Sequence, residues 1–170
     1  ELLWPASQRI GILSSLDVMP STDPYMAQLL AAQGRRPPEP WTAVRLLQER
    51  YEATRIEPDT DSIPTGEIDL LVVIHPRDLP TRTLWAIDEW VARGGNTLIF
   101  EDPYSINDQP PQNPQQPWAA AQYTPASSLN RLTEGWGITR VDDRVAADLA
   151  LATRRSVDRR GPVQPVVIDL

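Results

Sequence analysis

The single histidine of the chain is the residue best placed to do chemistry. His75 comes directly after the apolar run 68–74 and directly before Pro76. At the end of a buried strand, a histidine can contact a ligand or transfer protons. The alternative is a turn histidine that hydrogen bonds hold in place. We expect the turn histidine, because the chain has no second histidine, no cysteine and no lysine to complete a familiar catalytic set.

Carboxylates form a second candidate site. Glu101 and Asp102 end the next apolar segment, and Asp108 follows closely. Hard divalent cations require clustered oxygen ligands, so these carboxylates together could hold one. Their spacing matches no known cation-binding loop, and carboxylates at strand ends commonly cap the following turn or face solvent. We therefore predict no metal site here, and none at Asp142 and Asp143.

A predicted βαβ unit, residues 67–103, positions His75 and Asp102. Its first strand, 68–74, is an almost unbroken apolar run rich in β-branched residues, which is typical of a strand buried on both faces of a parallel sheet. Residues 97–100 form the returning strand. The unit therefore places His75 and Asp102 at the carboxyl ends of strands.

The crossover helix of this unit is predicted from its apolar stripe. Leu84, Ile87 and Val91 recur at helical spacing and form one apolar face. Thr81 is expected to cap the first free N–H groups, and the glycine pair at 94–95 to supply the left-handed turn that ends the helix.

Shorter elements are predicted on both sides of this unit. Because strands alternate with helices, we predict one α/β domain over residues 1–170, a flavodoxin-like or class I amidotransferase-like three-layer sandwich with a mainly parallel central sheet. If the order is flavodoxin-like, the strands follow one another as 2-1-3-4-5. Residues 104–125, dense in proline and glutamine, are predicted as an exposed loop. The other predicted strands are 8–14, 53–57, 138–141 and 163–170. The other predicted helices are 41–53 and 127–136, and residues 25–32 are compatible with two helical turns but not with a sustained helix. Residues 154–161 are predicted as a charged loop, and 145–152 as helix or strand.

The strand order locates a ligand cleft. In a flavodoxin-like sheet the order reverses between strands 8–14 and 68–74, and ligands bind beyond the carboxyl ends of the strands there. The long loop 15–40 would border this crevice. The predicted cleft residues are Ser14, Ser15, His75, Pro76 and Asp102.

Three chemistries known from such sheets lack their residues here. The loop 14–20 has no glycine to wrap a phosphate, which disfavours FMN. A phospho-receiver domain needs a lysine and an amidotransferase needs a nucleophilic cysteine, and the chain has neither. The net charge of −7 provides no basic field for nucleic acid or anionic lipid. We therefore predict no cofactor, no nucleic-acid partner and no catalytic residues.

Tryptophan is frequent, with six in 170 residues. Trp85 and Trp90 lie on different sides of the crossover helix, so at least one is expected to be partly exposed and to contribute to a protein contact. The alternative is that they pack under adjacent loops. Trp118, in the proline- and glutamine-rich loop, is a further candidate for a partner contact, and the alternative there is a solvated loop.

The βαβ unit carries a resemblance to a known family. A strand ending in His75-Pro76, the segment 84–95 and a strand ending in Asp102-Pro103 resemble the extracytoplasmic domain of GldG-type auxiliary proteins of ABC transporters, which are named for gliding motility. The resemblance implies a non-enzymatic domain on the periplasmic side of the bacterial inner membrane, beside an ABC permease and ATPase or other envelope proteins. It extends to residues 40–41, 59–64, 127–130 and 145–150.

The same resemblance implies membrane helices outside the sequence. No apolar run approaches the roughly 18 residues of a membrane span, and no segment has the pattern of a signal peptide. Because the chain begins at Glu1 without methionine and stops just after a strand-like segment, we expect a fragment of a longer, membrane-anchored protein.

A weaker similarity, to ThuA-like and class I amidotransferase-like domains, implies a different function. The chain would then be a carbohydrate-related or hydrolytic enzyme with His75 and Asp102 in its cleft. An enzyme should bring His75 and Asp102 within hydrogen-bonding reach in a closed pocket. A docking domain should instead show a broad exposed patch that includes tryptophan.

Overall fold

The chain divides into two compact units, Glu1–Arg140 and Val141–Leu170. The structure, a computed structural model, describes residues 8–20, 24–34, 38–110, 122–141, 153–156 and 163–166. The prediction of a single domain over residues 1–170 stays a prediction. In the first unit the elements are β1 (Arg9–Ser14), α1 (Pro24–Ala32), α2 (Thr42–Gln48), β2 (Glu52–Ile56), β3 (Leu70–Ile74), α3 (Thr81–Ala92), β4 (Asn96–Phe100), α4 (Asn130–Thr133) and the 3-10 turn Glu134–Trp136.

The strands of the first unit form one four-stranded sheet. All pairs are parallel, and the order is β2-β1-β3-β4. Ile12 of β1 lies opposite Val72 of β3, which in turn lies opposite Leu98 of β4. This is the predicted flavodoxin-like order for the first four strands, and the fold is the predicted three-layer α/β sandwich.

Helix α3 covers one face of the sheet. Its fully buried Ile87 packs in one apolar cluster with Leu13 of β1 and Val73 of β3. Leu129, just before α4, belongs to the same cluster and is also fully buried. Burying each such side chain contributes roughly 1.5 to 3 kcal/mol, which fixes α3 and α4 on this face.

Helix α2 covers the other face. Val44 packs with Ile10 and Ile12 of β1 and with Val72 of β3 in a second apolar cluster. Because β1 and β3 contribute to both clusters, they are buried on both sides, as the apolar run 68–74 predicted.

Two predictions in the first half of the chain were wrong in detail. The helix expected over 41–53 ends at Gln48, and β2 begins at Glu52. Pairing with β1 takes these residues, since the Glu52 N–H donates to the Gln8 carbonyl at 3.1 Å. Thr81 does not cap α3: the helix begins at Thr81 itself, Pro80 is its N-cap, and no side-chain cap hydrogen bond is present.

The helix expected over 127–136 is shorter than predicted. It consists of α4 and the 3-10 turn, and Gly137 ends it with a φ of 79°, as predicted. The strand expected at 138–141 is absent: Ile138 and Val141 are 60% and 64% exposed and belong to no strand. Exposure removes the burial that would have stabilised strand pairing there.

The second unit contains an antiparallel pair of strands. β5 (Thr153–Ser156) pairs with β6 (Val163–Val166), with Thr153 opposite Val166. The loop expected over 154–161 is therefore a strand at its start, because its residues find partners in β6. The prediction for 145–152 lies outside the described residues.

The described helices are all short or polar. None of them has the length and apolar character needed to cross a membrane.

Candidate functional site

The carboxyl ends of β1 and β3 bring several of the predicted cleft residues together. Ser14 lies opposite Ile74, so Ser15 and His75 follow at the same edge of the sheet. The buried Ser14 accepts a hydrogen bond from the Leu16 N–H at 3.0 Å, which closes a turn. Ser15 Oγ accepts from the Arg77 N–H and donates to the Arg77 carbonyl, both at 2.9 Å. Both serines therefore serve to fix loops.

His75 is buried at this edge, with 3% of its surface exposed. Its backbone N–H donates to the Phe100 carbonyl at 2.9 Å, which extends the pairing of β3 with β4 by one residue. Its Nε2 lies 3.0 Å from Asp108 Oδ2, while Nδ1 has no partner among the described residues. The φ of 50° is rare for a residue with a side chain, so the surrounding contacts must hold this turn.

Asp108 joins the groups around His75. Its Oδ2 also accepts from Arg77 Nη1 at 2.5 Å, and its Oδ1 accepts from the Tyr123 hydroxyl at 2.5 Å. The Arg77 guanidinium lies 4.0 Å from the centre of the Tyr123 ring, in cation–π geometry. We call His75, Arg77, Asp108 and Tyr123 the strand-end cluster.

Contacts within the strand-end cluster shift the pKa values of three of its members. Burial alone would raise the pKa of Asp108, but hydrogen bonds from Tyr123, Arg77 and His75 and the charge of Arg77 together lower it. Burial and the bond to Asp108 raise the pKa of Tyr123. The pKa of Arg77 is raised: burial opposes the charge, and Asp108 outweighs it. The stable state is an Arg77 cation paired with an Asp108 anion.

The strand-end cluster also ties together the two limbs of the proline- and glutamine-rich loop. Asp108 belongs to the outgoing limb and Tyr123 to the returning limb. Nearby, the Ser105 N–H donates to the Pro125 carbonyl at 2.7 Å. The base of the loop is thus fastened to the end of β3.

Asp102 and Pro76 take part in a separate set of contacts. Asp102 Oδ1 accepts from the Tyr104 N–H at 2.8 Å, so it caps the turn that follows β4. The Asp102 N–H donates to Ser127 Oγ at 2.9 Å. Pro76 is fully buried, and its carbonyl accepts from the Ser128 N–H at 3.3 Å. These bonds attach the segment before α4 to the strand ends.

The two halves of the proposed catalytic pair are not joined. Within the described part of the chain, no hydrogen bond links His75 to Asp102, and His75 is bonded to Asp108 instead. Glu101 Oε1 accepts from the Leu129 N–H at 2.5 Å. No three His, Cys, Asp or Glu side chains among these residues are grouped to hold a metal ion.

The tryptophans named from the sequence have different surroundings. Trp90 is 7% exposed, its Nε1 donates to the Asn96 carbonyl at 3.2 Å, and Gly95 packs closely on its ring. Trp85 is 69% exposed. Trp90 is therefore part of the core, and Trp85 is the exposed member of the pair. Trp118 lies outside the described residues.

Two members of the strand-end cluster were missed from the sequence, and a third was misjudged. Arg77 had a signal, since it follows His75-Pro76 at a strand end. Tyr123 had none, because its partners are distant along the chain. Asp108 was considered only as a cation ligand. The cluster holds a half-buried ion pair and a buried histidine, and its hydrogen bonds fasten the loops at this edge of the sheet.

The fold and this edge define a flavodoxin-like α/β domain whose polar strand-end residues hold one another. A family model described as "ABC-type uncharacterized transport system" matches residues 7–168. The chain therefore belongs to this family and is an auxiliary domain of an ABC-type transport system. No curated protein and no solved structure gives a significant match.

Proposed function

We propose that this chain is a non-enzymatic docking domain of a GldG-type auxiliary protein. In this proposal it lies on the extracytoplasmic side of the bacterial inner membrane, anchored by segments outside residues 1–170. It associates with the assembled permease and ATPase of its transport system, or with another envelope protein. Membership of the transport family supports the association with transporter components.

The observation that carries the docking role is the internal pairing of the strand-end cluster. Asp108 accepts hydrogen bonds from His75, Arg77 and Tyr123, and it is only 11% exposed. A substrate at this edge would have to displace these bonds, which would leave buried polar groups unpaired at a cost of about 1 to 3 kcal/mol each. The polar residues at the sheet edge are therefore better suited to hold the fold than to receive a ligand.

Exposed apolar side chains support a protein partner. Trp85 is 69% exposed on α3, and Leu98 and Phe100 on the edge strand β4 are 45% and 53% exposed. Exposed aromatic groups of this kind are enriched in protein interfaces, where they supply most of the binding energy.

The enzyme alternative depends on His75 and Asp102 acting together. A ThuA-like carbohydrate-related or hydrolytic enzyme needs both groups at one accessible point. Each has its own partner here, Asp108 for His75 and the Tyr104 N–H for Asp102, and His75 is buried. This separation favours the docking proposal.

Co-purification of the transport system tests the proposal. The longer protein is expressed with tagged permease and ATPase, with and without residues 1–170, and membranes are solubilised before purification on the tag. We expect recovery of the longer protein to fall sharply without residues 1–170. Equal recovery would contradict docking of this chain to the permease and ATPase. The control is Asp78→Asn in the longer protein, which should leave recovery unchanged. Asp78 is exposed and is not one of the exposed apolar residues Trp85, Leu98 and Phe100.

A further inference from the structure

A shallow groove lies between α3 and α4 on the first unit. Its volume is about 170 Å³. Trp85 forms one wall with 69% of its surface exposed, and Leu84 and Leu132, both half-buried, form the apolar floor. We call it the Trp85 groove, and its lining residues are Thr81, Leu84, Trp85, Asp88, Arg131 and Leu132.

The size of the Trp85 groove selects the kind of occupant. Small-molecule sites enclose roughly 300 to 1,000 Å³, so 170 Å³ is too small for a typical metabolite site. It suits a single apolar side chain from a protein, which is how exposed tryptophans act in interfaces. The size therefore favours a side chain of a macromolecule over a metabolite.

The exposed Arg131 at the rim of the Trp85 groove favours a partner with a carboxylate. Arg131 is exposed and forms no ion pair with any described residue. Asp88 does not neutralise it, because Asp88 Oδ1 accepts from Trp136 Nε1 at 2.8 Å and no ion pair joins the two within the described residues. The Trp85 indole N–H is a second donor at this rim, and it has no hydrogen-bond partner among the described residues. An anionic acceptor matches both groups.

We propose that the Trp85 groove binds a segment of a transporter subunit that carries an apolar side chain beside an acidic residue. The apolar side chain packs on Trp85 and Leu132, and the carboxylate meets Arg131. This inference rests on the proposed docking function and adds the chemistry of the partner segment.

Two charge variants at the rim of the Trp85 groove test the inference, because they should change the affinity in opposite directions. The probe is the purified permease–ATPase complex of the same transport system, and its affinity for the 170-residue chain is measured by surface plasmon resonance. Arg131→Glu should weaken binding roughly 10-fold, because it places a like charge against the carboxylate. Asp88→Asn should tighten binding a few fold, because it removes repulsion and keeps the acceptor for Trp136.

Two controls separate a local effect from a general one. Arg45→Glu makes the same charge reversal at an exposed position of α2 and should change the affinity less than 2-fold. Raising the salt concentration should weaken binding of the wild-type chain more than binding of the Arg131→Glu variant, because salt screens exposed charge pairs. Trp85→Ala should weaken binding roughly 30-fold or more, as expected for a central aromatic contact.

The outcomes distinguish this inference from the docking proposal. If the wild-type chain binds and the Trp85, Arg131 and Asp88 variants bind equally well, the partner uses another surface, and the inference is wrong while the docking function stands. Equal weakening by Arg131→Glu and Arg45→Glu would likewise overturn the carboxylate contact. If the wild-type chain does not bind the complex, the inference is wrong, and so is the part of the docking proposal that names the permease and ATPase as partners.

Discussion

The strand-end cluster and the Trp85 groove use similar side chains in opposite ways. In the cluster an arginine, a carboxylate and an aromatic ring contact one another and are largely buried. In the groove an arginine, a carboxylate and an aromatic ring lie near one another, but Arg131 is unpaired within the described residues and Trp85 is exposed. The first arrangement has little left to offer a partner, whereas the second retains a free cation, a free donor and apolar surface.

The comparison shows why residue type at a strand end is a weak indicator of function. His75 occupies the position where ligands of parallel sheets commonly bind. Here it is buried and hydrogen-bonded to Asp108. By contrast, the exposed Trp85 lies on a helix, α3.

Among changes within the strand-end cluster and the Trp85 groove, removing the acceptor at the centre of the cluster should have the largest effect on stability. Asp108→Asn removes the negative charge that pairs with Arg77 and replaces an acceptor oxygen with a donor amide. We expect the free energy of unfolding to fall by about 2 to 3 kcal/mol, as measured by urea denaturation. The matched control is Asp78→Asn, because Asp78 also pairs with Arg77 but is 88% exposed. It should change stability by less than about 0.5 kcal/mol, and equal losses would contradict a special role for Asp108.

A change at His75 should cost less than the loss of Asp108. Asn tolerates the φ of 50° at this position, so His75→Asn removes the bond to Asp108 with little added backbone strain. We expect a loss of about 1 kcal/mol in the free energy of unfolding. His75→Val is the contrasting variant, since a β-branched residue resists this backbone conformation. Equal stability of the Asn and Val variants would show that the turn is not strained.

The strand-end cluster should also give the stability a characteristic dependence on pH. The pKa of Asp108 is lower in the folded protein than its ordinary value, which is near 3.9 in an unfolded chain. Its contribution is therefore complete above about pH 4 and is lost as the pH falls through the folded pKa. Urea denaturation at a series of pH values should show the gap between wild type and Asp108→Asn narrowing below about pH 4. A constant gap would mean that the Asp108 charge does not contribute.

The smallest effect on stability is expected in the Trp85 groove. Trp85→Ala removes a side chain that is already 69% exposed, so the free energy of unfolding should change by less than about 0.5 kcal/mol. Trp90→Ala provides the contrast, because the buried Trp90 packs in the core. Its removal should lower the free energy of unfolding by about 3 kcal/mol or more. Thermal unfolding of both variants checks this difference. A large loss in Trp85→Ala would indicate that Trp85 stabilises the fold.

Local pattern was sufficient to predict the central part of the fold. The apolar run 68–74, the helical stripe on α3 and the glycine turn predicted the βαβ unit, and the alternation of strands with helices predicted a parallel sheet, whose first four strands follow the flavodoxin-like order. The end of α2 was misplaced because pairing with β1, a long-range effect, draws the chain into β2 at Glu52. No local signal predicts where such pairing begins.

The candidate site was less predictable for the same reason. The sequence named His75 and Asp108, but their association requires the loop after β4 to fold back over β3. Tyr123 reaches Asp108 from the far side of the proline- and glutamine-rich loop. The exposure of Trp85 and the burial of Trp90 likewise depend on which face of α3 meets the sheet.

One measurement tests the central claim most directly: the affinity of the permease–ATPase complex for wild type, His75→Asn and Trp85→Ala, compared at a temperature where all three are folded. If docking uses exposed apolar surface and the strand-end cluster holds the fold, Trp85→Ala should bind roughly 30-fold more weakly and His75→Asn within about 2-fold of wild type. The reverse result, with binding lost in His75→Asn and kept in Trp85→Ala, would contradict the account and place the functional site at the strand ends.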